Sequence, residues 1–254
     1  MDFSGKAVMI TGGARGLGLA TARAFLVAGA RVAVNDLAAD RLAGAVAELG
    51  PLGSVVPAPA DVATVAGCRQ AVAVAHAAFG RLDVLVNNAA VNVEKPIADW
   101  DEELWDRHLD VVLKGTFFAT QAALGPLRAS GGAVVNVASQ LGLQGVSDNV
   151  GYCAAKGGVV NLTRALAIEL APEVRVNSVC PGPIDTPLMR DCAIASGDAD
   201  AYYRRYADYS PLGRVADPAE IANAILFLAS PRAAMITGVA FAIDGGSTAG
   251  REAV

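Results

Sequence analysis

Residues 11–18 read Thr11-Gly12-Gly13-Ala14-Arg15-Gly16-Leu17-Gly18, between an apolar run at 6–10 and a helical stretch reaching about residue 28. A strand that breaks into spaced glycines and then opens a helix lets backbone N–H groups close on a pyrophosphate. Gly12 suits the tight turn, while Gly16 and Gly18 allow the chain and the helix start to come near the phosphates. Arg15 and Leu17 lie on the same turn and are assigned to the cofactor with the glycines. The spacing is G-x-x-x-G-x-G, not the commoner G-x-G-x-x-G, so the flanking strand and helix carry the reading.

Outward from this turn the chain alternates short β-rich runs with longer helical ones. Strands are expected at 6–10, 31–35, 54–58, 84–87, 133–137, 175–179 and 239–243. Helices are expected at about 38–49, 64–79, 102–127, 150–171 and 218–229, the last one capped by Asp217-Pro218. Such alternation implies parallel strands, right-handed crossovers and helices on both faces. The fold class is therefore α/β: one doubly wound, Rossmann-type parallel sheet of about seven strands. No Ser/Gly/Pro-rich linker divides the chain, so residues 1–254 are read as one domain. An off-rhythm segment at 188–212, rich in Tyr and charge over 188–209, follows a strand's carboxyl end and is a candidate substrate lid.

Composition sets outer limits. Hydrophobic residues make up 54% and charged ones 18%, enough apolar content for a sizeable core. The net charge of −5, with no Lys/Arg cluster, argues against nucleic acid as a partner. Met1–Lys6 lacks a signal-peptide layout, and every long apolar stretch is interrupted by Arg, Glu or Asn, so no membrane association is expected. Cys68, Cys153, Cys180 and Cys192 form no C-x-x-C pair, and His76 and His108 are remote from them in sequence. No metal is expected, and the cytoplasm is the expected location.

Asp36 follows the second strand, 18 residues beyond Gly18, with Leu37 beside it. A carboxylate there can accept from the adenosine ribose hydroxyls. A 2′-phosphate would meet like charge, about 4 kcal/mol per pair at 4 Å for an effective dielectric of 20. The expected cofactor is NAD, with Arg15 as the counter-signal.

Tyr152 and Lys156 are four residues apart on a helical stretch, about 400° of turn, and so share one face. A cation beside a phenol favours phenolate, and a bound oxidised nicotinamide would add to that. The expected direction of the Tyr152 pKa is therefore downward. Ser139 follows the strand at 133–137 and can converge with Tyr152 at the sheet's carboxyl edge to hold a substrate oxygen. Ala138-Ser139-Gln140 does not match a hydrolase nucleophile turn, and neither histidine is placed to serve as its base.

With these motifs in order, the sequence resembles the short-chain dehydrogenase/reductase family over essentially its whole length. The resemblance rests on 11–18, Asp61-Val62, Asn87-Asn88-Ala89-Ala90, Ser139, Tyr152/Lys156, Pro181-Gly182-Pro183-Ile184-Asp185-Thr186, Ile236-Thr237-Gly238 and Asp244-Gly245-Gly246. It implies that Asp61 and Val62 contact adenine and that Asn88 and Ala89 line the adenosine side. It further implies Tyr152 as acid/base, Ser139 orienting the substrate oxygen, and Lys156 tuning Tyr152 and binding nicotinamide-ribose hydroxyls. Pro181, Gly182, Ile184 and Thr186 would hold the nicotinamide. A homotetramer, or less often a dimer, is implied, joined through the two long helices and the C-terminal strand region. Ala90 departs slightly from the usual Gly.

The larger departure is Val112, in Asp110-Val111-Val112-Leu113-Lys114-Gly115, where the family usually has an Asn thought to hold a relay water. The principal reading is an oxidoreductase that moves a hydride between NAD(H) and a secondary alcohol or ketone. The alternative, resting on Val112, is a dinucleotide-binding regulatory or scaffold protein with absent or altered catalysis. Gln140, Asn149, Ser139 and Tyr152 are assigned to substrate, with Val91, Asn92, Leu141, Val146 and the 188–209 segment shaping the pocket.

Overall fold

Most strand residues in this chain are apolar, and those of the central strands are buried on both faces, the mark of a parallel sheet covered by helices on each side. The computed structural model describes residues 1–250. Its strands are β1 (Ala7–Ile10), β2 (Arg31–Asp36), β3 (Val55–Pro59), β4 (Val84–Asn87), β5 (Ala133–Val137), β6 (Arg175–Pro181) and β7 (Ala240–Ile243). They form one sheet in the order β3-β2-β1-β4-β5-β6-β7, with every pairing parallel. The order reverses direction between β1 and β4, which opens a crevice at their carboxyl ends.

The helices are α1 (Gly16–Val27), α2 (Ala39–Leu49), α3 (Val65–Phe79), α4 (Glu102–His108), α5 (Gly115–Ser130), α6 (Val150–Leu170), α7 (Pro187–Ala195), α8 (Ala199–Asp208) and α9 (Pro218–Ala229). The period of two along the strands divides them between two cores. Val8, Ile10, Val32, Val34 and Val135 pack with Phe25 and Leu26 of α1 and Ile221 and Ile225 of α9. Ala7, Met9, Ala33, Leu85 and Val134 point the other way, among residues of α3, α5 and α6. At α9 the Asp217 carboxylate accepts from the first-turn backbone and Glu220 reciprocates at 2.8 Å on the Asp217 N–H, a complete capping box behind Pro218.

Two expectations need correction. The single helix at 102–127 is instead α4 and α5 joined by a π-helical turn over Leu109–Lys114. The turn is closely packed by its neighbours. A Cβ on Gly115 would lie 2.8 Å from the Val62 carbonyl oxygen, and one on Gly158 would lie 2.8 Å from Leu113 Cδ2. Second, the off-rhythm segment is regular: α7 and α8 pack together through Met189, Ala193, Tyr202 and Tyr206. Among the described residues no helix is long and apolar enough to cross a membrane.

Candidate active site

The crevice begins at the glycine turn. Gly12 and Gly16 hold φ of 60° and 55°, the left-handed region that glycine adopts without a Cβ clash. The turn is stitched to the end of β4: Asn88 Nδ2 donates to the carbonyls of Thr11 and Gly12, both at 3.0 Å. Thr11 Oγ1 in turn accepts from the backbone N–H groups of Asn88 at 2.9 Å and Ala89 at 3.1 Å. Asn88 therefore fixes the shape of the phosphate turn as well as lining the crevice. Gly18 does not line it. A Cβ there would lie 2.3 Å from the Gly12 carbonyl oxygen and 2.7 Å from Asn88 Nδ2, so its role is helix-to-turn packing.

The cavity over the sheet's carboxyl edge has a volume of ≈ 470 Å³. Asp36, Leu37, Asp61 and Val62 line one end, and Gly12, Arg15, Gly16, Leu17, Asn88 and Ala89 line the middle. Tyr152, Lys156, Pro181, Gly182, Ile184 and Thr186 line the other end. Asp36 is 7% exposed. Its Oδ1 accepts from Arg41 Nη2 at 2.7 Å and from the Ala38 N–H at 3.2 Å, and among the described residues Oδ2 has no donor. Arg41 was not anticipated, although a basic residue five positions past a strand-end acid is a readable signal. Arg15 reaches Asp191 at 3.3 Å across open surface.

At the reacting end, Ser139 follows β5, and its Oγ accepts from the Leu141 N–H at 3.1 Å. The hydroxyl hydrogen thus stays free for a ligand oxygen. Tyr152 and Lys156 lie one turn apart on α6, with Lys156 Nζ 5.4 Å from the Tyr152 ring centroid. Lys156 is 1% exposed, and its ammonium donates to the Val137 carbonyl at 2.6 Å. Burial pulls the Lys156 pKa down to about 7. The Tyr152 phenol is pushed up, first by burial and then by the nearby Cys192 and Cys153 thiols, against the expected downward direction. The cation faces Val137 and is itself weakened by burial, so desolvation prevails over charge attraction. Val112 lies in a small apolar cluster with Ala138, Ala155 and Val159, and its carbonyl accepts from Thr116 Oγ1 at 2.6 Å. The position contributes packing here.

A second cavity of ≈ 130 Å³ shares Ser139, Tyr152, Gly182, Ile184, Thr186 and Leu188 with the first. Gln140, Leu141, Asn149 and Asn92 line it as expected. Val91 lines the larger cavity, and Val146 lines neither. The Asn149 amide is already engaged, accepting from Asn92 Nδ2 at 3.1 Å and donating to the Ser147 carbonyl at 3.2 Å, so it braces the wall. Glu94, Met189, Cys192, Tyr202 and Tyr206 complete the lining and were not foreseen. Tyr202 and Tyr206 both donate to Glu94 Oε1 at 2.7 Å, tying α8 to the segment after β4. Burial foremost raises both phenols. A lone acid five positions beyond Ala89, where a strand's carboxyl end meets the crevice, was the available signal. Among the described residues no group of three or more His, Cys, Asp or Glu side chains could hold a metal ion.

Fold and site together define a dinucleotide-binding α/β enzyme in which Ser139 and Tyr152 line both cavities and Lys156 lines the larger. The family model described as enoyl-(acyl carrier protein) reductase matches residues 12–248. The 2-(S)-hydroxypropyl-CoM dehydrogenase 3 of Xanthobacter autotrophicus (strain ATCC BAA-1158 / Py2) is 42% identical over 248 residues, covering 96% of this chain and 97% of that protein. The D-threitol dehydrogenase of Mycolicibacterium smegmatis (strain ATCC 700084 / mc(2)155) is 40% identical over 252 residues, covering 97% and 95%. The crystal structure of levodione reductase superposes with a TM-score of 0.93 at 32% identity, covering 98% of this chain and all of that one. The chain belongs to the short-chain dehydrogenase/reductase family. It is an oxidoreductase of that family, whose members bind a nicotinamide dinucleotide.

Proposed function

We propose that this protein interconverts a secondary alcohol and its ketone with NAD(H), using Tyr152 as the proton-transfer group. The observation that carries this reading is that Tyr152 and Ser139 line both cavities, the glycine-cradled one and the smaller one beside it. The dinucleotide, when bound, supplies the hydride acceptor for oxidation and the donor for reduction. In oxidation Tyr152, as phenolate, takes the proton of the substrate hydroxyl, and in reduction the phenol returns one. The Ser139 hydroxyl donates to the same substrate oxygen and opposes its drift as charge changes there. Lys156 binds ribose hydroxyls, and it weighs toward phenolate in its charged form.

The fit of the larger cavity to a dinucleotide is supported by the turn itself. The Cβ that any other residue would carry at position 12 would lie 2.9 Å from Ala89 Cα, so glycine lets the turn close against the chain that follows β4. NAD rather than NADP is supported by Asp36, whose Oδ2 is left for ribose hydroxyls while Arg41 is drawn into an ion pair with Oδ1. The named dehydrogenase relatives support an alcohol substrate for this chain as well. Retention of Ser139, Tyr152 and Lys156 in one cavity favours catalysis over a purely regulatory role, since Val112 is used in packing. A homotetramer is supported by apolar side chains exposed on α5, α6 and β7, among them Phe117, Ile168 and Phe241.

The test is formation of reduced nicotinamide from a panel of secondary alcohols with NAD and, separately, with NADP. Turnover is expected with NAD, and a kcat/KM at least about 100-fold lower with NADP, given like charge at Asp36. Binding without turnover across the panel would favour the regulatory alternative, and equal use of both cofactors would remove Asp36 as the discriminator.

A further inference from the structure

The smaller cavity's walls are rich in acceptors. Glu94 places a carboxylate there, with Oε1 taken by the phenols of Tyr202 and Tyr206 and, among the described residues, no donor on Oε2. Two further wall residues carry amide oxygens that are buried with no donor, Asn92 Oδ1 and Gln140 Oε1. The Asn92 orientation follows from its neighbours: Asn149 Nδ2 donates to Ser147, so Asn149 Oδ1 faces Asn92 and takes its Nδ2 hydrogen. Gln140 is 3% exposed. No Lys, Arg or His lines this cavity among the described residues. Both amide oxygens are closed off within the wall and add negative partial charge to it, beside Glu94.

We propose that the substrate of this site is a small neutral diol or polyol, whose second hydroxyl donates to Glu94 while the reacting hydroxyl sits between Ser139 and Tyr152. The inference rests on the alcohol dehydrogenase reading above and names its substrate class. Volume agrees with it: ≈ 130 Å³ is space for on the order of ten water-sized groups. Charge disfavours an anionic substrate, since its carboxylate or sulfonate would meet Glu94 with no cation on the cavity wall among the described residues. Tyr202 and Tyr206 then serve as positioning residues. By occupying Oε1 they leave Oε2 for the ligand and tie the carboxylate to α8.

The experiment compares kcat/KM with NAD for a four-carbon set: sec-butanol, vicinal butanediol, β-hydroxybutyrate and vicinal aminobutanol, in the wild type and in Glu94→Gln. The wild type is expected to favour the diol at least tenfold over the plain alcohol and to use the hydroxy acid least. Glu94→Gln is expected to reduce the diol-to-plain-alcohol ratio about tenfold, because a hydrogen bond to a charged acceptor becomes one to a neutral acceptor. It should also raise the relative use of β-hydroxybutyrate. A residue that only latched α8 would lower all four rates together and leave the ratios unmoved, which would overturn the proposal. So would wild-type preference for the plain alcohol, the acid or the aminoalcohol. The wild-type ranking decides even if the variant does not fold. Turnover with the wrong ranking defeats the substrate class alone, whereas no turnover of any secondary alcohol defeats the dehydrogenase reading and this inference with it.

Discussion

Lys156 is a cation in the protein core with a carbonyl for a partner and no carboxylate within its hydrogen bonds. Its pKa falls from 10.5 to about 7 on folding. Between those values the unfolded chain holds a proton that the folded one has released, so folding stability rises with pH across that window. The cofactor-free protein is therefore expected to gain thermal stability from pH 7 to pH 10 relative to Lys156→Met, in which this contribution is absent. Parallel melting curves for the two proteins across the window would contradict the assigned burial of the amine. Tyr152, Lys156 and Ser139 were legible because spacing and position at the sheet edge are properties of sequence. The direction of the Tyr152 pKa was not, because it depends on where the ammonium points and how much water reaches the ring. Glu94 escaped for a related reason: a single acid in an irregular segment has no partner in sequence, and its phenols come from α8, more than a hundred residues later.

At the scale of elements, β1, the glycine turn and α1 form one unit whose last glycine, Gly18, is under the tightest constraint. Gly18→Ala would drive a methyl group into the Gly12 carbonyl and Asn88 Nδ2, and either the helix or the phosphate turn must shift. The expected outcome is a loss of at least tenfold in dinucleotide affinity by titration, or a drop of about 1–3 kcal/mol in stability where the helix yields instead. Unchanged affinity and stability together would show that the turn tolerates a Cβ. The strands were readable because each carries a short run rich in apolar residues between helical stretches, most nearly continuous in the central β1 and β4, and their expected positions agree with the sheet to within two residues at each end. The π turn at Leu109–Lys114 was hidden, since widening a helix by one residue leaves its composition and apolar pattern nearly unchanged. α7 and α8 were seen only as a break in rhythm. Their helical character rests on Thr186 and Asp198, whose side chains cap them by accepting from Met189 and Ala201 backbone N–H groups.

For the whole molecule, the sheet supplies a rigid floor on which two cavities meet, and the outer faces of α5, α6 and β7 leave apolar side chains in water. Ile168 is 82% exposed, and Phe117 and Phe241 stand out on the neighbouring elements. Light scattering after size exclusion is expected to give a tetramer, and Phe117→Glu with Ile168→Glu is expected to reduce it to smaller species. A wild-type monomer would contradict the assembly. The central claim, however, concerns one oxygen atom at the junction of the two cavities. Its most direct test is Tyr152→Phe, measured both for NADH binding by fluorescence titration and for alcohol oxidation at saturating NAD. Affinity is expected to stay within about threefold of wild type while turnover falls by about a thousandfold, the scale of a lost general acid/base. Turnover left within a few fold of wild type would contradict that claim.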